Sequence, residues 1–297
     1  MKKDVFSTFH PLVNFVYFVL VIGYAMFLMH PVFLGLSCAG GMIYYLYLQR
    51  WKAMKTALWM MIPVFLISAA VNPLFNHEGV TLILYLKNGN PLTLESILYG
   101  LATGVMLVSV LNWFFCYQAV MTSDKFIYLF GKIIPAMSLI LSMILRFVPR
   151  FQEQIKKVSD SQKCIGRDVT NGNIIARAKH GMKILSVMTS WALENSVETA
   201  DSMRSRGYGL RGRNNFLIYR FDTRDKIVFG ILMFLGGCVF VGKISGSVNF
   251  LYYPMLRMNR NTLQAVIIYS CYGILCFLPT IMNMIEDLKW HYLKSKI

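Results

Sequence analysis

The sequence predicts an all-α integral membrane protein, with about six transmembrane helices and a cytosolic domain of long helices set between the fourth and the fifth. Three observations lead there. Of the 297 residues, 56% are hydrophobic and only 15% charged, against about 25% charged in an ordinary soluble domain. Mean hydropathy is correspondingly high, at +0.51. The apolar residues gather in runs close to the ~20 that a bilayer crossing requires. Finally, 30 Lys and Arg against 14 Asp and Glu give a formal charge of +16. The basic residues cluster between the apolar runs, which reads as the cytosolic charge bias of a membrane protein rather than a nucleic-acid surface.

The runs cover residues 13–29, 33–48, 57–71, 94–121, 227–241 and 263–285, the third and fifth being short enough to need help from their flanks. Lys2 and Lys3 precede the first run, and Arg50, Lys52 and Lys55 separate the second from the third. Lys289, Lys294 and Lys296 close the chain, whereas the segment 72–91 carries only Glu78 and Lys87. The positive-inside tendency therefore places both termini in the cytosol. Lys243, Arg257 and Arg260 run against it, because this topology puts them outside. The chain divides into 1–124 (the first four spans), 125–226 (cytosolic or interfacial) and 227–297 (the last two spans).

His10-Pro11 and His30-Pro31 each stand before an apolar run. Proline suits the first turn of a helix, where its missing N–H is not needed, so each pair is expected to start one. The first run lacks a small-residue cleavage site and continues like a true span, which speaks against a removable signal peptide. The six cysteines, Cys38, Cys116, Cys164, Cys238, Cys271 and Cys276, form no CxxC, and five lie in apolar runs. They read as small hydrophobes rather than a disulfide framework or a zinc site.

The cytosolic middle begins with "IIPAMSLILSMIL", 133–145, too short to span and bounded by Lys132 and Arg146. It runs on into "RFVPRFQEQIKKVSDSQKC", where Arg146 and Arg150 stand one turn apart, as snorkelling at a membrane boundary would have them. Gly166, Gly172 and "GRDVTNGN" then break the helix. A second long helix starts near Ile174, with Ile184, Val187, Met188 and Trp191 on one face. The stripe beyond is small and polar, Ala192, Asn195, Thr199 and Ser202, which permits close helix approach. This helix is expected to be packed along its first half and to project toward its end.

It ends in "SMRSRGYGLRGR", 202–213, four arginines and three glycines in twelve positions. Gly207 and Gly209 suit a left-handed C-cap, and arginines suit the negative end of a helix dipole. Arg204 has Asp201 three residues back as a surface partner. Arg206 lies about 200° around the helix from Arg204, and its one-turn neighbours Ser202 and Met203 offer no acid. Two readings stand: cations that merely cap a helix, or a guanidinium placed for a carboxylate on another chain.

With these residues in view the sequence resembles the transmembrane T component of energy-coupling factor (ECF) transporters, the family that includes the cobalt permease subunit CbiQ. Ser205-Arg206-Gly207 within "SMRSRGYG" resembles that family's AMxARGYG, and "LRFVPRF" resembles the approach to its first coupling helix. The family's other motif is similar to AQxxRG; here "SQKCIGRD" keeps Gln162 and Gly166 but has Ile165 at the arginine position, with Lys163 and Arg167 beside it. The resemblance implies that the long cytosolic helices are coupling helices that dock on two ABC-type ATPase subunits, a homo- or heterodimer. It implies a separate membrane S component that binds the substrate, a vitamin or a transition-metal ion. Ser205, Arg206, Gly207, Gln162, Lys163, Gly166 and Arg167 become the expected ATPase-coupling residues. ATP and Mg would be held by the partners, leaving this chain a non-catalytic subunit with no cofactor, no nucleic-acid partner, and a place in a prokaryotic cell membrane.

The alternative is a self-sufficient polytopic transporter or a membrane enzyme with a basic cytosolic loop. A phosphate-binding loop needs GxxxxGK followed by Ser or Thr, and "GCVFVGKIS", 237–245, has Ile244 in that place. An ion pathway would put ionisable residues inside the spans; only Glu95 comes close, at the start of the fourth. The histidines His10, His30, His77, His180 and His291 are scattered, without an HxxxH pair.

Overall fold

A computed structural model describes residues 4–85, 91–131, 135–167, 169–170, 173–208, 219–258 and 263–295. Lys2, Lys3, Lys87, Lys132, Gly172, Arg260 and Lys296 lie outside these residues. Among the described residues the helices are α1 (Pro11–Phe27), α2 (Pro31–Phe75), α3 (Leu94–Val120), α4 (Ser123–Gly131), α5 (Pro135–Cys164), α6 (Ile174–Ser205), α7 (Thr223–Ile244) and α8 (Leu263–Ser295). Two small antiparallel hairpins, unanticipated from sequence, are β1 (Leu82–Tyr85) with β2 (Pro91–Thr93) and β3 (Phe250–Leu251) with β4 (Arg257–Met258). The protein is an all-α membrane protein. Pro31–Gln49, Ala57–Phe75, Leu94–Val120, Thr223–Ile244 and Leu263–Lys294 are long and apolar enough to cross a bilayer, and α1, with 17 residues, is the shorter sixth candidate.

Two compact units emerge. The first joins Met1–Phe126 to Tyr219–Ile297; the second is Ile127–Ile218. The residues on either side of the 127–218 segment thus form one body, with edges at 126/127 and 218/219.

The first unit is built on an aromatic core, with Phe6, Tyr17, Phe18, Phe33, Tyr44, Trp113 and Tyr272 almost fully buried. Both His-Pro pairs begin helices as expected. In each, the histidine Nδ1 accepts the backbone N–H two residues on, Leu12 for His10 and Val32 for His30, at 3.2 Å. That bond uses the lone pair of an unprotonated nitrogen, so these histidines are caps.

One expectation changes form. The second and third runs, 33–48 and 57–71, are not separate helices but arms of the single 45-residue helix α2. Both arms reach α3: Ser37 Oγ accepts from Trp113 Nε1 at 2.9 Å, and Gly41 abuts Asn112, while Phe65 and Ala69 abut Gly104 and Gly100. A straight helix from Gly41 to Phe65 would span about 36 Å, against about 12 Å between residues 104 and 112 of α3. The axis must therefore bend sharply between the two arms. Pro63 stands only two residues from Phe65, so the bend falls nearer the middle of the interval. A break in direction does not require a break in helix, and a sequence pattern cannot tell them apart.

Glycine sets the approach of α3 to the second arm. A β-carbon on Gly100 would stand 2.6 Å from the Ala69 carbonyl oxygen, and one on Gly104 2.9 Å from the Phe65 ring. Gly100→Val is expected to destabilise the first unit by about 1–3 kcal/mol, the usual scale of overpacking. A thermal melt of the detergent-solubilised protein would show it, and an unchanged midpoint would rule the close contact out.

Charged residues near the spans are accounted for locally. Glu95 accepts the Thr81 N–H at 3.2 Å and sits in the first turn of α3, capped by Thr93. Lys243, which ran against the charge rule, donates to the Phe27 carbonyl at 2.9 Å and so covers the end of α1. The stretch resembling a phosphate loop lies within helix α7 up to Ile244, so its amides are not free to cradle an anion.

A buried polar network, missed in the sequence reading, ties the start of the chain to α1, α2, α3, α4 and α8. Asp4, 7% exposed, accepts from Ser7 N–H and Tyr44 OH, each at 3.0 Å, and from Asn283 Nδ2. Lys125, 6% exposed, donates to the carbonyls of Ser7 and Val120. The Asn14 amide, turned with its oxygen toward Lys125 Nζ at 3.2 Å, donates to the Phe6 carbonyl at 2.9 Å. Burial lowers the Lys125 pKa, while the charge on Asp4 opposes that shift.

The second unit pairs α5 with α6. Phe151 meets Trp191 edge-on at 5.7 Å, and Ile184, Met188 and Asn195 are buried along the same side of α6. Ala192, Thr199 and Ser202 continue that stripe half-buried, as their small size permits, whereas Val187 lies at its edge and is exposed. On the opposite side, Met182, Leu193 and Val197 are exposed, as is Leu185 at the stripe's other edge.

Candidate coupling site at two helix tips

The helices α5 and α6 end in the same hydrogen-bonded cap. At the end of α5, Gly166 N–H bonds the Lys163 carbonyl and Arg167 N–H bonds the Gln162 carbonyl, both at 3.0 Å. At the end of α6, Gly207 N–H bonds the Arg204 carbonyl and Tyr208 N–H bonds the Met203 carbonyl, again at 3.0 Å. This pair of bonds defines a Schellman cap, which requires a left-handed residue after the last helical one. Gly166 and Gly207 supply it, with φ of 79° and 77°; a side chain there would cost about 1–2 kcal/mol.

Because the caps agree bond for bond, they can be laid one on the other. Ile165 then falls on Arg206, Cys164 on Ser205, Lys163 on Arg204, and Arg167 on Tyr208. Continued backward, the match places Asp160-Ser161 on Asp201-Ser202, an internal repeat of "DSQKCIG" against "DSMRSRG". The repeat was the sequence signal for this equivalence. It is short and imperfect, and only the shared hydrogen bonds establish its register.

Exposure follows position. Lys163, Ile165, Gly166, Arg167, Arg204, Ser205 and Arg206 are exposed, and Gly207 is half-buried. Ser205 Oγ donates to the Ser202 carbonyl at 2.9 Å, which keeps this small side chain folded onto its helix beside Arg206. Gln162 departs from the expected pattern: it is half-buried, and its Oε1 points inward to no donor among the described residues. Its role is at the cap's base, through its backbone carbonyl. Gly209, Arg211 and Arg213 lie outside the described residues.

The expected Asp201–Arg204 pair does not form; among the described residues neither Arg204 nor Arg206 has an ion pair. An exposed pair at this spacing is worth only a few tenths of a kcal/mol, too little to hold two long side chains together. What distinguishes the arginines is therefore place. Arg204 stands in the last helical turn, while Arg206 is the cap residue itself (φ −85°, ψ 9°), next to a glycine that presents no side chain. Three cations at these tips, Lys163, Arg204 and Arg206, meet the negative ends of two helix dipoles. The arrangement offers a protruding guanidinium suited to a carboxylate on another surface.

No family model matches the chain. Curated proteins described as "Energy-coupling factor transporter transmembrane protein EcfT" do match part of it. The one from Lactobacillus helveticus is 30% identical over 105 residues, 35% of this chain and 38% of that protein. The Staphylococcus aureus protein is 30% identical over 111 residues, 37% and 41% of the two chains. The Brevibacillus brevis protein is 35% identical over 102 residues, 33% and 38%. The matches thus cover about two-fifths of the length of these relatives. They support an identification with the EcfT family, resting on about a third of this chain.

Proposed function

We propose that this chain is the transmembrane coupling subunit of an ECF-type ABC importer. Its exposed helix tips would dock on two ABC-type ATPase subunits, and its membrane unit and coupling helices would engage a substrate-binding S component. ATP binding would close the ATPase pair and draw the two tips with it. Helices α5 and α6, held together through Phe151 and Trp191, would carry that displacement to the S component and reorient it. Hydrolysis belongs to the partners, as do ATP and Mg. Uptake of a vitamin or a transition-metal ion is the substrate class this reading takes from the resemblance, in a prokaryotic cell membrane with both termini in the cytosol.

The observation that carries the reading is the pair of matching caps on packed helices of one unit, one presenting Arg206 and both presenting exposed basic residues. A helix tip is a rigid point of attachment, and a guanidinium beside glycine can form a two-pronged bond to a carboxylate. The test is reconstitution of the purified chain alone in proteoliposomes. No ATP hydrolysis and no solute accumulation are expected, with both appearing when the ATPases and S component of its host are added. Sustained hydrolysis or uptake by the isolated chain would sink the proposal.

A further inference from the structure

We propose that the β1–β2 hairpin is a lipid-binding element, seated in the headgroup interface of the bilayer beside the second arm of α2. It stands apart from the coupling role and does not rest on it. All four residues of β1, Leu82, Ile83, Leu84 and Tyr85, are apolar or aromatic and 46–66% exposed, and Val80 just before them is exposed too. Successive residues of a strand point to opposite faces, so this ribbon is apolar and open on both sides. A hairpin in water would turn one face inward and show polar residues on the other. A contiguous exposed apolar patch marks an interaction surface.

What covers it follows from its neighbours. Leu66, Ile67, Val71, Leu74 and Phe75 are exposed on the second arm of α2, which is apolar and long enough to cross a bilayer. The exposed apolar surface of that span continues along the chain through Phe75 into Val80 and β1, with only residues 76–79 between. The base of the hairpin is held to the start of α3. Thr81 N–H donates to Glu95 at 3.2 Å, Leu94 N–H to the Thr81 carbonyl at 3.0 Å, and Thr93 Oγ1 to the Glu78 carbonyl at 2.9 Å. With 27 residues, α3 is about 40 Å long, against about 30 Å of hydrocarbon. Its ends, including the turn that carries Glu95, therefore reach the headgroups. Backbone sets the other limit on depth. Among the described residues the ribbon has two strands, so each keeps one edge without backbone partners, and hydrocarbon cannot satisfy such an edge. The headgroup interface meets both demands, giving apolar contact to the side chains and water to the edges. Tyr85 is of a residue type enriched there.

The test uses the full chain, without partners, in vesicles of phosphatidylcholine and phosphatidylglycerol. A ketone-bearing amino acid at position 84 is coupled to a nitroxide, whose collisions with oxygen and with a water-soluble nickel chelate report its surroundings. Position 67 in the span and the exposed position 160 on α5 serve as references for hydrocarbon and water. The oxygen-to-nickel ratio at 84 is expected to fall between the two. A ratio equal to either reference, or low collision with both reagents as beneath a protein surface, would overturn the proposal. Adding the ATPases and S component of its host should leave the ratio at 84 unchanged; loss of oxygen access would make the hairpin a protein-docking surface instead. With the nitroxide at 83, Leu82→Asp combined with Leu84→Asp is expected to lower the ratio to that of position 160. An unchanged ratio would show that these side chains do not hold the ribbon in lipid, against the proposal.

Discussion

Replacing Arg206 with glutamate is expected to abolish ATP-driven uptake by the assembled complex and to strip the ATPase from the α6 tip. The substitution removes a charge-assisted bond and sets like charges against each other. Loss of one partner in such a desolvated pair commonly costs about 2–5 kcal/mol, and roughly 3 kcal/mol corresponds to about a 100-fold loss of affinity. Arg206→Ala should be nearly as severe, since it leaves the partner carboxylate buried and unpaired. Arg204→Ala should be mild, within about 1 kcal/mol, because this exposed side chain stands about 200° around the helix. Affinity measured by pull-down at several salt concentrations would separate the two. Equal losses for Arg204→Ala and Arg206→Ala would reduce the motif to a generic basic patch.

Lys125→Met is expected to be the most damaging single change in the first unit outside the aromatic core. It removes the ammonium that serves the Ser7 and Val120 carbonyls, and it leaves Asp4 as the nearby buried charge. Removing one member of a buried charged arrangement typically costs about 3–5 kcal/mol. The double variant Asp4→Asn with Lys125→Met should recover part of that loss, because the stranded charge goes with it. Melting midpoints of the four proteins in one detergent form the cycle. Additive effects would show that Asp4 and Lys125 do not act together.

The six apolar runs were legible because each needs only local composition to declare itself, and the helices that contain them lie where the hydropathy placed them. Helix starts at Pro11 and Pro31 were legible for a similarly local reason. The buried network was not. Asn14 and Asn283, polar residues inside apolar runs, were its only trace, and nothing in the sequence joins Asn283 to Asp4, 279 residues away, or either asparagine to Lys125. The motif at the α6 tip was half legible. "SRGYG" announced a glycine-ended basic helix, but the Asp201–Arg204 pairing drawn from spacing did not form. Spacing states which side chains can meet, while solvent decides whether an exposed pair is worth holding.

What the sequence by itself determined is the class of protein: helices that must satisfy their own backbone in lipid, a basic insertion between them, and glycines where helices have to stop. Those properties follow from composition and from neighbours a few residues apart. Only the structure decided that α2 is one bent helix, that Gly100 and Gly104 set its approach to α3, and that Ile165, read from the resemblance as standing at an arginine position, shares one cap geometry with Arg206. Each of these depends on where distant segments meet, or on matching two backbone caps about forty residues apart in the chain. The arginine was visible from the start, and the isoleucine at its counterpart's place was read from the resemblance; that both sit in the same cap became a structural fact only through those hydrogen bonds.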